Sequence, residues 1–430
     1  MSQKHHDLHR IGALPRVRPV AVIVAIAAFL VCLWLGWSAA RRGASRLLSD
    51  YGVRANRLDA ANAAVKLTPS DAEAHYARAL VLAQSGMFSE AGAATEHAVA
   101  LRPRDYVLWV ELGQDRDQIG DVDGALTAFK EAVRLAPFYA QPRWQLGNLF
   151  LRTGRSREAF TELRRAALSD PSLWPQLIDL AWSALRGDAG AVRQVIEPQT
   201  PDERLALARY FAKKGKALEA VELFHGGGGA SEEDVNNLMS ELLAGGMFKE
   251  AYEVWRSAAG AKTDAGVAVI VDGSFEGRIL RENHGFGWQL ARDVQGVTSS
   301  LDLQERRSGA RSLQLDFNGA SDPSARIVSQ LGLVEPNSSY RLLFAARSEE
   351  LVTGGPPVIA VLDANANGLV LAESTPLPQG TSDWMEYEMM FNTSDTTSAV
   401  LITLQRQGCS SGPCPVFGRV WLDDFSLRKQ

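Results

Sequence analysis

Cysteine is scarce in this chain of 430 residues, with three in all, too few for a disulfide scaffold or a four-thiolate zinc site. Histidine is sparse too, with seven, and His5, His6 and His9 sit together in a tail whose simplest reading is solvated chain. A large excess of one charge is also missing: 45 Lys and Arg face 50 Asp and Glu, so a net charge of -5 supplies no general attraction to nucleic acid, and none is expected as a partner. The sequence lacks a G-x-S-x-G elbow, an H-E-x-x-H pair, a Walker loop and a C-x-x-C pair. Only His284 falls in the C-terminal part, and the acids there are scattered, so neither a His-based centre nor a paired-carboxylate cleft is expected. A non-enzymatic protein follows from these absences. What is present is apolar material, 46% of the residues, enough for real cores spread over several folded units.

The apolar residues are distributed unevenly. After a tail at 1–18, residues 19–40 carry no charge and include the run VAVIVAIAAFLVCLWLGW. As a helix these 22 residues would measure about 33 Å, enough for a bilayer core of ~30 Å. Trp34 and Trp37 stand where an interfacial aromatic belt lies, which reads as a transmembrane helix, while Ser38, Ala39 and Ala40 would suit cleavage of a signal peptide. A short tail before one apolar helix commonly stays in the cytoplasm, giving a single-pass protein of a bacterial inner membrane with its bulk extracytoplasmic. Arg41, Arg42 and Arg46 nevertheless nearly balance the basic residues of the tail.

A repeat follows. Pro69, Pro103, Pro137 and Pro171 are spaced by 34 residues, as are Gly86, Gly120 and Gly154, and Ala91, Ala125 and Ala159. Trp109, Leu112 and Gly113 fall on one helix, with Gly113 admitting its partner closely. Ala125, Phe129 and Ala132 stripe the next helix, and Pro137 stops it. The pattern is weaker where His75 and Arg78 replace Trp and Leu, degrades between 174 and 200, and recovers with Gly215, Ala220 and then Gly246, Ala251. The glycines after His225 lead to Ser231 as an N-cap with Asp234 in capping-box position, not to a phosphate loop.

This spacing resembles the tetratricopeptide repeat over residues 45–260, in about five to six units, and the resemblance implies an α-solenoid that recruits protein partners. Carried onto this sequence, its groove residues are Tyr76, Leu80 and Gln84, then Val110, Gln114 and Asp117, then Trp144, Asn148 and Arg152. Trp144 stands where a carboxylate clamp needs a basic residue.

Past a linker at 261–267 the period becomes two. Eight strand candidates between Arg311 and Leu427, separated by Gly, Pro, Asn and Ser turns, predict an antiparallel β-sandwich, a jelly roll, over 268–430. Met385, Tyr387 and Met389 should share one face and Glu386 and Glu388 the other, and DANANG at 363–368 reads as a hairpin turn. Cys409 and Cys414 flank a short turn and suit either a disulfide or a free pair. The fold class is therefore multidomain, α plus all-β.

The order of Val271-Asp272-Gly273-Ser274-Phe275-Glu276, Gly287-Trp288, Ser308-Gly309-Ala310-Arg311-Ser312-Leu313, Pro336 to Ala346, Trp384 and Val420 to Leu427 resembles carbohydrate-binding modules of families 4 and 9. The resemblance implies a structural calcium held by Glu276 with Asp423 or Asp424, against the alternative of a capped strand end without metal. It also implies glycan binding, for which Trp288, Tyr387 and Trp421 are the available aromatics, against the alternative of a protein-contact module. Together these features point to a scaffold of the bacterial cell envelope acting in exopolysaccharide synthesis or export. A protein-only assembly factor is the rival, and an unrecognised glycan-active enzyme ranks below both.

Overall fold

The computed structural model describes residues 19–226, 230–258, 270–277, 285–291, 294–319, 322, 325–409 and 414–430. The tail at 1–18, the linker at 261–267 and His284 lie outside the described residues. The chain divides into two compact units, Met1–Leu177 and Ile178–Gln430.

In the first unit a single helix, α1, runs unbroken from Pro19 to Arg54, and its part from Ile23 on is long and apolar enough to cross a membrane. Its distal half is also the first helix of a repeat, packing on α2 (Leu58–Leu67) through Gly52, where an added Cβ would lie 3.1 Å from Ala61 N. Ser45 fixes the pair by donating to Ala64 O at 3.0 Å. The helices α3 (Ala72–Gln84), α4 (Phe88–Leu101), α5 (Tyr106–Gln118), α6 (Val122–Leu135), α7 (Ala140–Arg152) and α8 (Ser156–Ser169) form three further hairpins.

The physical reasons for the period are visible at each hairpin. Gly86, Gly120 and Gly154 have φ of +75°, +79° and +75°, the left-handed conformation that ends the first helix of each pair and that a side chain disfavours. Gly113 faces Phe129 so closely that a Cβ would lie 2.5 Å from its ring, and Gly147 meets Leu163 at 2.6 Å. A repeated hydrogen bond reaches back from the first helix to the proline of the preceding unit. His75 Nε2 lies 2.9 Å from Pro69 O, Trp109 Nε1 donates to Pro103 O at 2.9 Å, and Arg143 Nε donates to Pro137 O at 3.0 Å. His75 thus does the work of the tryptophan it replaces, because what the position requires is a ring or guanidinium nitrogen at that reach. Arg78 likewise donates to Asn62 Oδ1 at 2.8 Å.

The second unit carries the remaining helices and the β-sandwich. Helix α9 (Trp174–Ala184), within which the unit boundary falls, and the short α10 (Ala189–Ile196) are connected through Gly187 at φ +75°, so the stretch of degraded spacing is itself helical. The pairs α11 (Pro201–Lys213) with α12 (Ala217–His225) and α13 (Glu232–Ala244) with α14 (Phe248–Ala258) follow. Fourteen helices are present among the described residues, and six consecutive pairs of them pack as hairpins, in keeping with the five to six units that the spacing suggested. Ser231 and Asp234 form the expected capping box. Tyr252 and Trp255 of α14 pack on Phe286 with ring centroids 5.0 and 6.0 Å apart.

Ten strands among the described residues build two antiparallel five-stranded sheets. One has the order β1 (Gln289–Leu290), β4 (Val328–Leu333), β9 (Ala399–Arg406), β6 (Pro357–Asp363), β7 (Leu369–Glu373). The other has β2 (Val297–Asp302), β3 (Ser312–Asn318), β10 (Val416–Lys429), β5 (Ser339–Thr353), β8 (Met385–Asn392). The eight expected strands are present, and β1 and β2 are additional. β1 has two residues, and β2, sequence VTSSLD, lies at a sheet edge with little apolar alternation to mark it. Leu313, Leu315, Phe344, Val361, Ile402 and Val420 fill the space between the sheets. On β8, Tyr387, Met389 and Phe391 point inward while Met385 is exposed near the strand's start. Asp363 and Gly368 close the β6–β7 turn, with Asn367 and Gly368 both at positive φ. Cys409 and Cys414 are joined as a disulfide.

Candidate functional site

The first helices of the unit-one hairpins lay their exposed residues along one common face. Asp117 on α5 and Arg152 on α7, two expected groove residues 35 positions apart, form an ion pair. Between α1 and α3 this face opens into a cavity of about 530 Å³, lined among others by Arg46, Ser49, Glu73, Tyr76, Leu80 and Arg102. Tyr76 and Leu80 thus meet in one cavity. Gln84 is exposed, and Gln114, Trp144 and Asn148 are half-buried. Val110 is a correction: it is buried with Phe129, Leu146 and Phe150 and serves the core instead of the groove.

Sequence reasoning passed over the acids behind this face. Glu111 on α5 has its carboxyl pushed up to about 7, first by burial and then by Asp115 one turn further on. Burial pushes Asp115 up to about 6 against the opposing effect of Thr95, whose hydroxyl donates to its Oδ2 at 2.8 Å. The phenol of Tyr76 is pushed up to about 12 by burial, then by the nearby carboxylates of Glu111, Glu73, Asp105 and Asp115. The sequence signal available was the placement of Glu111 and Asp115 three and seven residues after Leu108, on the side of the helix that buries Leu108 and Leu112. In the second unit, a cavity of about 500 Å³ holds Arg193, Glu222 and Arg204. Its charges are matched internally, Arg193 with Glu222 at 3.0 Å and Arg204 with the carbonyls of Gly226 and Gln199.

In the β-sandwich the three aromatics expected to meet sugar are buried, Trp288 and Tyr387 in the core between the sheets and Trp421 on the outer face beneath arginine side chains. Trp288 is 4% exposed, stacks on Phe275 and donates Nε1 to Asp272 O. Tyr387, 7% exposed, stacks on Phe344. Trp421, 1% exposed, donates Nε1 to Asp302 Oδ2 and lies beneath the guanidinium groups of Arg347 and Arg419. A sugar ring needs an open aromatic face, which none of them offers. The open aromatic on the outer surface of this sheet is Phe417, 49% exposed and in register with exposed Val352. Its ring stands over Gly319, where a Cβ would come within 2.5 Å.

The structure brings Glu276, Asp423 and Asp424 together around the segment 307–311. Glu276 Oε1 accepts from the backbone N–H of Ala310 and Arg311, and Asp423 accepts from the N–H groups of Arg307, Ser308 and Asp424. Asp424, at φ 56° in a bulge of β10, accepts from Ser308 Oγ. A hard cation needs several oxygens converging on one point. Here N–H and O–H donors face the carboxylates, the guanidinium of Arg311 already donates to Glu276 O, and no three His, Cys, Asp or Glu side chains gather as a ligand set among the described residues. The arrangement is that of a hydrogen-bonded strand end.

No family model matches the chain. It is similar to BBSome complex member bbs-4 of Caenorhabditis elegans, at 33% identity over 69 residues, 16% of this chain and 15% of the relative, so it spans about a seventh of that protein's length. Among solved structures it is similar to MamA, at 16% identity over 50% of this chain and 97% of that one, with a TM-score of 0.29. It is also similar to a structure described as "CBM4 structure and function", at 13% identity over 38% of this chain and 100% of that one, with a TM-score of 0.28.

Proposed function

We propose that this protein is a non-enzymatic scaffold anchored in a bacterial inner membrane by α1, with its bulk extracytoplasmic. Its helical repeats recruit a protein partner, and its β-sandwich contacts polysaccharide during exopolysaccharide synthesis or export. The observation that carries the recruiting role is the shared face of α1, α3, α5 and α7, which opens into a cavity instead of closing against another element. Continuity of α1 supports the anchor, since one rigid helix links an apolar segment to the first repeat and would hold the cavity about 10–20 Å from a membrane surface at Ala40.

For the sandwich, Phe417 beside Val352 is the surface on which a sugar ring would stack. Binding assays of the full chain against soluble glycans and exopolysaccharide, comparing Phe417→Ala, test this role. No glycan bound would leave the protein-only assembly factor, in which the same apolar surface contacts protein. A reporter fused after Gln430 tests the orientation, and a cytoplasmic signal would overturn the envelope placement. Partner capture compared between wild type, Trp144→Ala and Asn148→Ala tests the groove, and unchanged capture would refute it.

A further inference from the structure

The cavity between α1 and α3 contains a group that the fold leaves without a partner. Ser49 is 5% exposed, lines the cavity, and its Oγ makes no hydrogen bond. Leaving a buried hydroxyl unpaired is unfavourable, so an arriving ligand that bonds to it recovers energy the fold gave up.

The charges around this point decide what the ligand is. The lining takes Arg46 and Asp50 from α1, Glu73 from α3 and Arg102 from the α4–α5 connection, while Asp105 of that connection and Glu111 and Asp115 of α5 lie outside the lining and act on Tyr76 from behind it. Arg102 is engaged by Asp71 at 3.3 Å and Glu73 at 3.6 Å, and Asp50 by Arg54 at 2.8 Å. Asp115 has the Thr95 hydroxyl. No Lys, Arg or His among the described residues pairs with Glu111, whose neighbouring charge is the like charge of Asp115. The cavity wall at Tyr76 therefore lies in a negative field from four carboxylates. Arg46 opposes this field, and it is exposed and screened by solvent as Glu73 is.

We propose that this cavity receives a lysine or arginine side chain of the protein partner, its nitrogen donating to Ser49 Oγ and Tyr76 Oη with Glu111 as counter-charge. The inference rests on the partner-recruiting reading and adds the chemistry that the partner must carry. A hydrophobic body with a cationic tip also suits the wall, since Leu80, Val53 and Ala77 line it beside the polar groups.

The test is a random peptide display selection against the full chain in detergent, followed by affinity measurements on synthesised peptides. Selected peptides are expected to carry a Lys or Arg whose replacement by norleucine weakens binding about tenfold or more. Glu111→Gln should weaken binding of the parent peptide by a similar factor, and Glu111→Lys further. The norleucine peptide leaves the protein untouched, so the result does not depend on a variant folding. If peptides bind but tolerate norleucine, ignore Glu111→Gln, or prefer Glu at that place, while Asn148→Ala still weakens them, the scaffold reading stands and the cationic inference falls. If no peptide binds the chain, both fall.

Discussion

The unpaired carboxylate of Glu111 makes stability depend on pH in a direction that can be computed. Its carboxyl is pushed from an ordinary 4.5 up to about 7, and that of Asp115 from 3.8 up to about 6. Both groups therefore hold a proton more tightly in the folded chain than in the unfolded one. The benefit is fully present below about pH 4, where both states are protonated, and is lost as pH rises through about 6 and then about 7. At 1.36 kcal/mol per pH unit, the rise of Glu111 sets a ceiling of about 3 kcal/mol, and partial access to solvent reduces this to about 1–2 kcal/mol. Replacing Glu111 by Gln removes the ionisation and should stabilise the protein by that amount at pH 8 and by about zero at pH 4.5. With about 2–4 °C of melting temperature per kcal/mol for a unit of this size, the expected gain at pH 8 is roughly 2–8 °C. Thermal unfolding of the full chain in detergent, followed by helical circular dichroism at several pH values, measures it. A Glu111→Gln protein with a pH profile parallel to wild type, or one less stable at pH 8, would refute the reasoning.

The other expectations concern packing and the strand end. Gly113→Ala forces a methyl against the Phe129 ring and should cost about 1–3 kcal/mol in chemical denaturation, an equal cost for Gly43→Ala counting against the argument because nothing lies near that glycine. Trp421→Ala should lower stability by about 3–5 kcal/mol, because it removes a buried ring and takes the indole donor from Asp302 Oδ2, and a variant of unchanged melting temperature would show that the buried ring does not stabilise the fold. Phe417→Ala should leave the melting temperature within about 1 °C while reducing any glycan or partner binding by that face, since the ring is half exposed. Chelation with EDTA should leave the melting temperature unchanged, because N–H groups already satisfy Glu276 and Asp423, and a drop of several degrees reversed by calcium would show an ion there.

How far the sequence could be read depended on whether a property was local. The uncharged run, the 34-residue period and the switch to period two are written along the chain, because each follows from what one helix turn or one strand requires. They were sufficient for an apolar helix, helical hairpins and an antiparallel sandwich. The capping box at Ser231, the turn at 363–368 and the close approach at Gly113 were legible for the same reason. The helices at 174–196 were obscured because the second of them is eight residues long, too short to display a stripe.

The site residues were decided by tertiary structure. Aromatic identity says that a ring will be buried or will bind, and only the sheet register distinguishes Trp421, roofed by two arginines, from Phe417, open on the same surface. Acidic identity says that Glu276, Asp423 and Asp424 want cations or donors, and only the course of the 307–311 segment delivers backbone N–H groups to them. Likewise Ser49 and Glu111 are ordinary letters 62 positions apart. They belong to one face because the helices that carry them stack, and whether a polar atom is satisfied depends on every neighbour that stacking brings, which no local pattern records.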